Sequence, residues 1–97
     1  ARLAFAPRAL QDVERLTAFL IESDPDAAAA TAHLLISGLR ILKEHPLAAG
    51  RPAEHGYREL LISRGRTGYV ALYSYDVVGD VAIILAVRHQ REGGFDS

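Results

Sequence analysis

The chain has no cysteine, methionine or tryptophan among its 97 residues, and Lys43 is its single lysine. The absence of cysteine excludes disulfides, thiol nucleophiles and cysteine-based zinc sites, and it is typical of a reducing cytoplasm. No apolar run reaches the roughly 20 residues that a membrane-spanning helix needs, and no signal-peptide pattern is present. We therefore expect a soluble, cytoplasmic protein without a membrane segment.

An excess of charge of either sign is also missing, because the formal net charge is −1. A general nucleic-acid-binding protein usually has a strongly basic face or a pI above about 9, so we expect no sequence-specific DNA binding by this chain alone. The cationic side chains are nearly all arginines, which bind carboxylates and phosphates in bidentate fashion and suit recognition better than proton transfer. A GC-rich genome is the other explanation for this arginine bias.

No catalytic or metal-binding motif stands out. Ser63 and Ser74 lack the sequence context of a serine nucleophile. The histidines share no close ligand spacing, and neither cysteine nor a pair of carboxylates completes a metal site. These histidines are His33, His45, His55 and His89. We expect neither a metal nor a cofactor.

The first half of the chain predicts a strand followed by a helical hairpin. Arg2 to Phe5 is typical of a short edge strand, and Pro7 suits the first position of a helix whose apolar spacing continues to Ser23. Asp24 is a good N-cap for a second helix that has Pro25 at its first position.

The second helix should contact more than one neighbour, because its apolar arc is wider than the roughly 100° stripe that a single contact requires. The first helix and the sheet could fill that arc, and a partner's helix is the functional alternative. The dipeptide His45-Pro46 should end this helix. The segment that follows, through His55, is expected to be a loop.

Three apolar segments in the second half predict an antiparallel meander, since each is short, β-branched or aromatic, and bounded by turn residues. They are Tyr57 to Ile62, Tyr69 to Tyr75 and Val81 to Val87. The third is apolar on both faces, which predicts a central strand covered by helices, and it ends abruptly at Arg88. We predict one α+β domain, residues 1–97, with the hairpin packed on a mainly antiparallel sheet of about four strands.

The order of these segments resembles the RelE/ParE superfamily of bacterial type II toxins over nearly the whole chain. The resemblance rests on the helical hairpin followed by His45-Pro46, Gly50-Arg51-Pro52, Arg58-Glu59-Leu60, Gly68 to Tyr73, and Arg88 to Glu92. It implies a toxin silenced by a cognate antitoxin, which combines a DNA-binding half with a flexible tail that wraps the toxin and orders on binding.

The two branches of that family imply different targets. RelE-like toxins cut messenger RNA in the ribosome, whereas ParE-like toxins poison DNA gyrase. The RelE-like pattern has an arginine where this chain has Val70, and lysines where it has Arg58 and Leu60. Its closing tyrosine corresponds to Phe95. These departures favour a ParE-like gyrase poison over a ribosome-dependent endoribonuclease or a diverged, inactive member.

Site residues follow from this interpretation. If the chain is a ribonuclease, the weak catalytic candidates are Arg58, Arg88, His89 and Arg91. If it is a gyrase poison, we expect target recognition by Arg64, Arg66, Arg88 and Arg91. We expect the antitoxin to contact Phe19, Leu34 and Ile41 on the hairpin. The structural alternative is that Arg88 pairs with Glu59 or Glu92, and that His89 hydrogen-bonds to the backbone.

Overall fold

A computed structural model describes residues 1–64 and 67–91, apart from the side chains of residues 19, 63, 64 and 67. The chain runs through strand β1 (Arg2–Phe5), helices α1 (Pro7–Ser23), α2 (Pro25–Leu39) and α3 (Ile41–Glu44), and strand β2 (Arg51–Pro52). A 3₁₀ turn (Glu54–Gly56) leads into β3 (Arg58–Arg64), β4 (Thr67–Asp76) and β5 (Val81–His89). Helix α1 starts with Pro7, and the Asp24 carboxylate caps α2 by accepting a hydrogen bond from the Ala27 amide at 3.1 Å.

The strands form one sheet in the order β1-β5-β4-β3-β2. Strands β3, β4 and β5 are the predicted antiparallel meander, and β1 lies at the edge, parallel to β5. Helices α1 and α2 pack against β5 and β3. The α+β fold with a mainly antiparallel sheet is therefore confirmed.

Two details differ from the sequence prediction. The segment expected to be a loop contains a fifth strand, β2, whose Arg51 lies opposite Glu59 of β3 and forms a 3.4 Å ion pair with it. The second helix is not continuous to His45, because it ends at Leu39. The Arg40 amide there is shared between the carbonyls of Ile36 and Ser37, the bifurcated geometry of a tightening last turn.

The core lies between the hairpin and one face of the sheet. Its largest fully buried side chains are Tyr73, Leu35, Leu39, Leu42, Ile84 and Val87. Gly38 lets α2 approach β3 closely, since a Cβ atom at that position would lie 2.7 Å from Ile62 Cγ2. Within the part of the chain that the structure describes, no helix has the length and apolarity needed to cross a bilayer.

Candidate functional site

The basic segment lies at one end of the sheet, where β5 leaves it. Strand β4 pairs Tyr69 with His89, and the Gln90 amide bonds to the Gly68 carbonyl at 2.8 Å. Arg91 follows and is exposed. The connection between β3 and β4 lies at this same end of the sheet. Arg64, the last residue of β3, is therefore also at this end. Residues 88–91 form the strand exit.

His89 is held by two contacts. Its ring meets the Tyr69 ring edge-on, with centroids 5.3 Å apart and planes at 78°. Its Nδ1 accepts a hydrogen bond from the Arg91 amide at 3.1 Å, so in this arrangement Nδ1 carries no proton and Nε2 does. The backbone bond expected for His89 is present, with an amide as the partner instead of a carbonyl. His89 thereby fixes the backbone that carries Arg91.

Arg88 is half-buried and folds over the strand exit, where its Nη1 lies 3.3 Å from the carbonyl oxygens of both His89 and Gln90. Glu59, one of its two expected partners, forms its ion pair with Arg51. Glu92, the other expected partner, lies outside the described residues.

Three of the four catalytic candidates, Arg88, His89 and Arg91, lie at the strand exit, but Arg58 does not lie with them. Arg88 lies opposite Val70, which lies opposite Leu61, whereas Arg58 lies opposite Tyr73. Directly paired residues share a face and neighbours in a strand alternate, so Arg58 and Arg88 belong to opposite faces of the sheet. They are also three residues apart along β3 and β4, which corresponds to about 10 Å.

Arg58 forms hydrogen bonds with the linker between α3 and β3. Its Nε donates to the Tyr73 hydroxyl at 3.3 Å, and its Nη2 donates to the carbonyls of Leu47 and Gly50. The Tyr73 hydroxyl donates in turn to the Pro46 carbonyl at 2.7 Å. A Cβ atom on Gly50 would collide with the Tyr73 hydroxyl. Arg58 and Tyr73 therefore hold the linker on the sheet.

Two of the positions that depart from the RelE-like pattern, Leu60 and Val70, are buried. Leu60 is 7% exposed and packs in the core, and Val70 is 3% exposed. Neither side chain can bind phosphate or transfer a proton. Phe95, another departure, lies outside the described residues.

A shallow apolar cleft of about 320 Å³ opens at the turn of the helical hairpin. Its lining is Thr17, Ile21, Pro25, Ala28, Ala29 and Ala32. Ile21 is 57% exposed, and the small alanine side chains of α2 leave room for a bulky side chain from outside. This cleft is absent from the sequence prediction, although the alanine run in the second helix is its signature.

The predicted antitoxin-contacting residues have different surroundings. Ile41 is about half exposed, whereas Leu34 is half-buried and packs against the core. The side chains of Phe19 and Arg64, and all of Arg66, lie outside the described residues.

At the other end of the sheet, a hydrogen bond closes the turn between β4 and β5. The Tyr75 hydroxyl donates to Asp80 Oδ1 at 2.7 Å. This bond lowers the pKa of Asp80 and raises the pKa of Tyr75, because it favours the ionised carboxylate and the protonated phenol. Asp80 has a positive φ of 51°, a strained conformation that the same bond helps to hold.

Asp12 is a functional candidate that the sequence analysis missed. It is buried in α1, and its Oδ2 accepts a hydrogen bond from the Val87 amide at 2.8 Å. The signal was its position between Ala9, Val13 and Leu16 on the apolar face of the helix, where a carboxylate needs a partner. Among residues 1–64 and 67–91, no three histidine, aspartate or glutamate side chains are placed to hold a metal ion.

A family model and two relatives place this chain in the same family of toxins. The model for the ParE toxin of the type II toxin–antitoxin system parDE matches residues 3–93. The chain is 35% identical over 86 residues to the protein named Toxin RelE3 of Caulobacter vibrioides, an alignment that covers 89% of this chain and 90% of the relative. It is 41% identical over 66 residues to Toxin RelE1 of the same species, covering 68% of this chain and 70% of that one.

Two solved structures share the fold. A chain from the chromosomal ParDE system of P. aeruginosa superposes with a TM-score of 0.75 at 21% identity, covering 91% of this chain and 94% of that one. A chain from the RelBE2 toxin–antitoxin complex of Mycobacterium tuberculosis superposes with a TM-score of 0.62 at 26% identity. This match covers 92% of this chain and 96% of that one.

Proposed function

Because the chain belongs to the ParE/RelE superfamily of type II toxin–antitoxin toxins, we propose that it is a ParE-like toxin that poisons DNA gyrase and is neutralised by a cognate antitoxin. The observation that carries this choice of target is that uncharged, buried side chains occupy positions where a RelE-like ribonuclease needs charge. Leu60 and Val70 are buried hydrophobic side chains there, and Arg58 is bonded to the linker.

Cleavage of RNA requires a group that removes the 2′-hydroxyl proton, cations that stabilise the phosphate, and an acid for the leaving oxygen. His89 is the best remaining acid or base, but its Nδ1 is engaged by the Arg91 amide. Arg58 belongs to the opposite face of the sheet from Arg88. Loss of a single such group commonly costs about 10² to 10⁴ in rate, so this arrangement favours docking over catalysis.

The target-binding surface in this proposal is the strand exit together with the β3–β4 connection: Arg64, Arg66, Arg88 and Arg91. Arginine at the end of an apolar strand suits binding to carboxylates or phosphates of a protein–DNA assembly. Arg91 is exposed and stands on a backbone that His89 holds in place, so it is the residue of the described exit best placed to contact a target.

The antitoxin surface in this proposal is the helical hairpin and the free edge of β3. The apolar cleft at the hairpin turn could accept a bulky side chain from an amphipathic segment of the antitoxin. Ile21 and Ile41 are exposed apolar groups of this surface, and Ile21 joins the expected Phe19, Leu34 and Ile41. In the described structure, β2 pairs only with Arg58 and Glu59, which leaves the rest of β3 open to an added strand.

The ribosome-dependent endoribonuclease is the second candidate, and the names of the two Caulobacter vibrioides relatives favour it. Expression of the chain alone in bacterial cells separates the two functions. A gyrase poison produces double-strand DNA breaks and SOS induction, whereas a ribonuclease produces codon-positioned cuts in messenger RNA. Co-expression of the antitoxin should abolish either effect.

A further inference from the structure

Strand β1 covers the first half of the outer edge of β5, and helix α1 lies along the rest of that edge. The parallel pairing of β1 with β5 ends at Phe5 and Ile84, and the Ala6 amide adds one more bond to the Ile84 carbonyl at 2.9 Å. Within residues 1–64 and 67–91, no strand flanks β5 on that side beyond this point. The backbone of Val87 would therefore face a gap at the edge, one residue before the strand exit.

Asp12 fills this gap. Its Oδ2 accepts the Val87 amide proton at a distance of 2.8 Å, and its carboxylate lies 3.9 Å from Arg8 Nε and 3.7 Å from Arg15 Nη2. A buried amide without a partner is costly, and a buried carboxylate needs both hydrogen bonds and opposite charge. Asp12 satisfies the amide, and the two arginines balance the carboxylate.

Arg15 completes the contact from the same helix. Its Nη2 lies 3.5 Å from the Val87 carbonyl oxygen, a longer and weaker bond than that of Asp12. Both polar groups of the Val87 backbone are thus directed to α1. Because Arg88 is the next residue, the position of the strand exit relative to the body of the protein depends on these two side chains.

We propose that Asp12, assisted by Arg15, is a positioning residue that holds the strand exit in the orientation that the target recognises. This inference rests on the proposed target-binding role of the exit. It also predicts a separation of effects, because neither Asp12 nor Arg15 lines the hairpin cleft. Loss of the Asp12 contact should weaken action on the target and leave antitoxin binding in place.

The test compares Asp12→Ala with Asp12→Asn, which keeps an oxygen that can accept the Val87 proton, and with Glu14→Ala as the control. Glu14 is an exposed acidic residue of the same helix. The readouts are hydrogen exchange of the Val87 amide by NMR, the toxin concentration that gives half-maximal gyrase-dependent DNA cleavage, and the dissociation constant for the antitoxin.

In Asp12→Ala, exchange at Val87 should accelerate about tenfold or more, and the half-maximal concentration should rise by a similar factor, since a buried amide has lost its acceptor. Antitoxin affinity should stay within about threefold. Asp12→Asn should restore most of the exchange protection and the activity. Glu14→Ala should match wild type in all three measurements.

A folded Asp12→Ala protein with unchanged DNA cleavage would overturn the proposal, as would a parallel loss of cleavage and antitoxin affinity, which would indicate a merely structural role. If Asp12→Ala does not fold, Arg15→Ala takes its place, because the Arg15 side chain is half exposed. Unchanged Val87 exchange together with unchanged cleavage in that variant contradicts the proposal. If wild type does not act on gyrase, the proposed function fails, and the exchange data still decide whether Asp12 holds the strand.

Discussion

Arg58 and Tyr73 lie opposite each other in the β3–β4 pair, and the Arg58 Nε donates a hydrogen bond to the Tyr73 hydroxyl at 3.3 Å. The same hydroxyl donates to the Pro46 carbonyl, while the rest of the guanidinium binds two further linker carbonyls. A residue that the sequence placed among the catalytic candidates is therefore engaged in holding the helix-to-sheet linker.

Removal of the Tyr73 hydroxyl should destabilise the fold. Tyr73→Phe leaves the Arg58 Nε and the Pro46 carbonyl without this partner in a buried setting, which should cost about 1 to 3 kcal/mol in the free energy of unfolding. Urea denaturation measures this cost. The control is Tyr57→Phe at a 40% exposed position, which should stay within about 0.5 kcal/mol of wild type. Equal stability of Tyr73→Phe and wild type would show that the linker is held by other contacts.

The Tyr75–Asp80 bond should make stability depend on pH at the acidic end. The pKa of Asp80 is lower in the folded chain than its ordinary value of 3.8, so the bond contributes stability above that pH and loses it as the pH falls through the folded pKa. Thermal melts from about pH 5 to about pH 3 should show a smaller acid-induced decrease in Tm for Tyr75→Phe than for wild type.

At the alkaline end the direction reverses. The pKa of Tyr75 is raised above 10.0 by the same bond, so the contribution of the bond to stability is present below pH 10 and is lost as the pH rises through the folded pKa.

For the acidic end, identical acid dependence of Tm in wild type and Tyr75→Phe would mean that the Asp80 carboxylate is not stabilised by the bond.

The hairpin cleft should carry much of the antitoxin affinity. Ile21→Asp places a charge at an exposed position of the cleft, and Ile41→Asp does so at the end of the hairpin. Each should weaken antitoxin binding about tenfold or more, because charge at the apolar centre of an interface is poorly tolerated. Calorimetry or surface plasmon resonance measures the affinity.

Val78→Asp is the control for these variants, since Val78 is 98% exposed in the β4–β5 turn and does not line the hairpin cleft. It should bind the antitoxin as wild type does. Wild-type affinity for both isoleucine variants would move the antitoxin site away from the hairpin. Leu34→Asp is a poorer probe, because Leu34 packs against the core and its substitution would also affect folding.

Charge reversal at the strand exit should separate docking from proton transfer. Arg91→Glu should abolish growth inhibition with little loss of stability, since Arg91 is exposed and its side chain is away from the core. His89→Gln should retain most of the toxicity, because the glutamine oxygen can accept the Arg91 amide proton in place of Nδ1. Arg40→Glu, an exposed reversal at the end of α2, is the matched control and should remain toxic.

The opposite pattern would reverse the assignment. A folded but non-toxic His89→Gln protein, together with a fully toxic Arg91→Glu protein, would place acid–base chemistry at His89. The chain would then be closer to the RelE-like nucleases in mechanism.

Local patterns predicted most of the fold. The helical hairpin was readable from Pro7, Asp24 and Pro25, which mark helix starts, and the meander from its three apolar segments. Strand β2 was not readable, because it is two residues long, includes a proline, and exists only through its pairing with Arg58 and Glu59. The end of α2 was missed for a related reason, since no proline or N-cap residue marks the break at Arg40.

The site was less predictable than the fold. The resemblance to RelE-like toxins placed Arg58 and Arg88 in one weak catalytic set, but the strand register puts them on opposite faces of the sheet. The contact between Asp12 and Val87 spans 75 residues, and only the packing of α1 against β5 brings them together. Local sequence carries no information about such pairs beyond the presence of a carboxylate on an apolar helix face.

The most direct test of the central claim is a reaction of the purified chain with DNA gyrase, ATP and supercoiled plasmid, run beside a reconstituted translation reaction with a defined messenger RNA. The account predicts that linear DNA accumulates with toxin concentration, that the cognate antitoxin and Arg91→Glu each abolish it, and that the messenger RNA stays intact. Codon-positioned cleavage of the messenger RNA on ribosomes, with no linear DNA from gyrase, would contradict it.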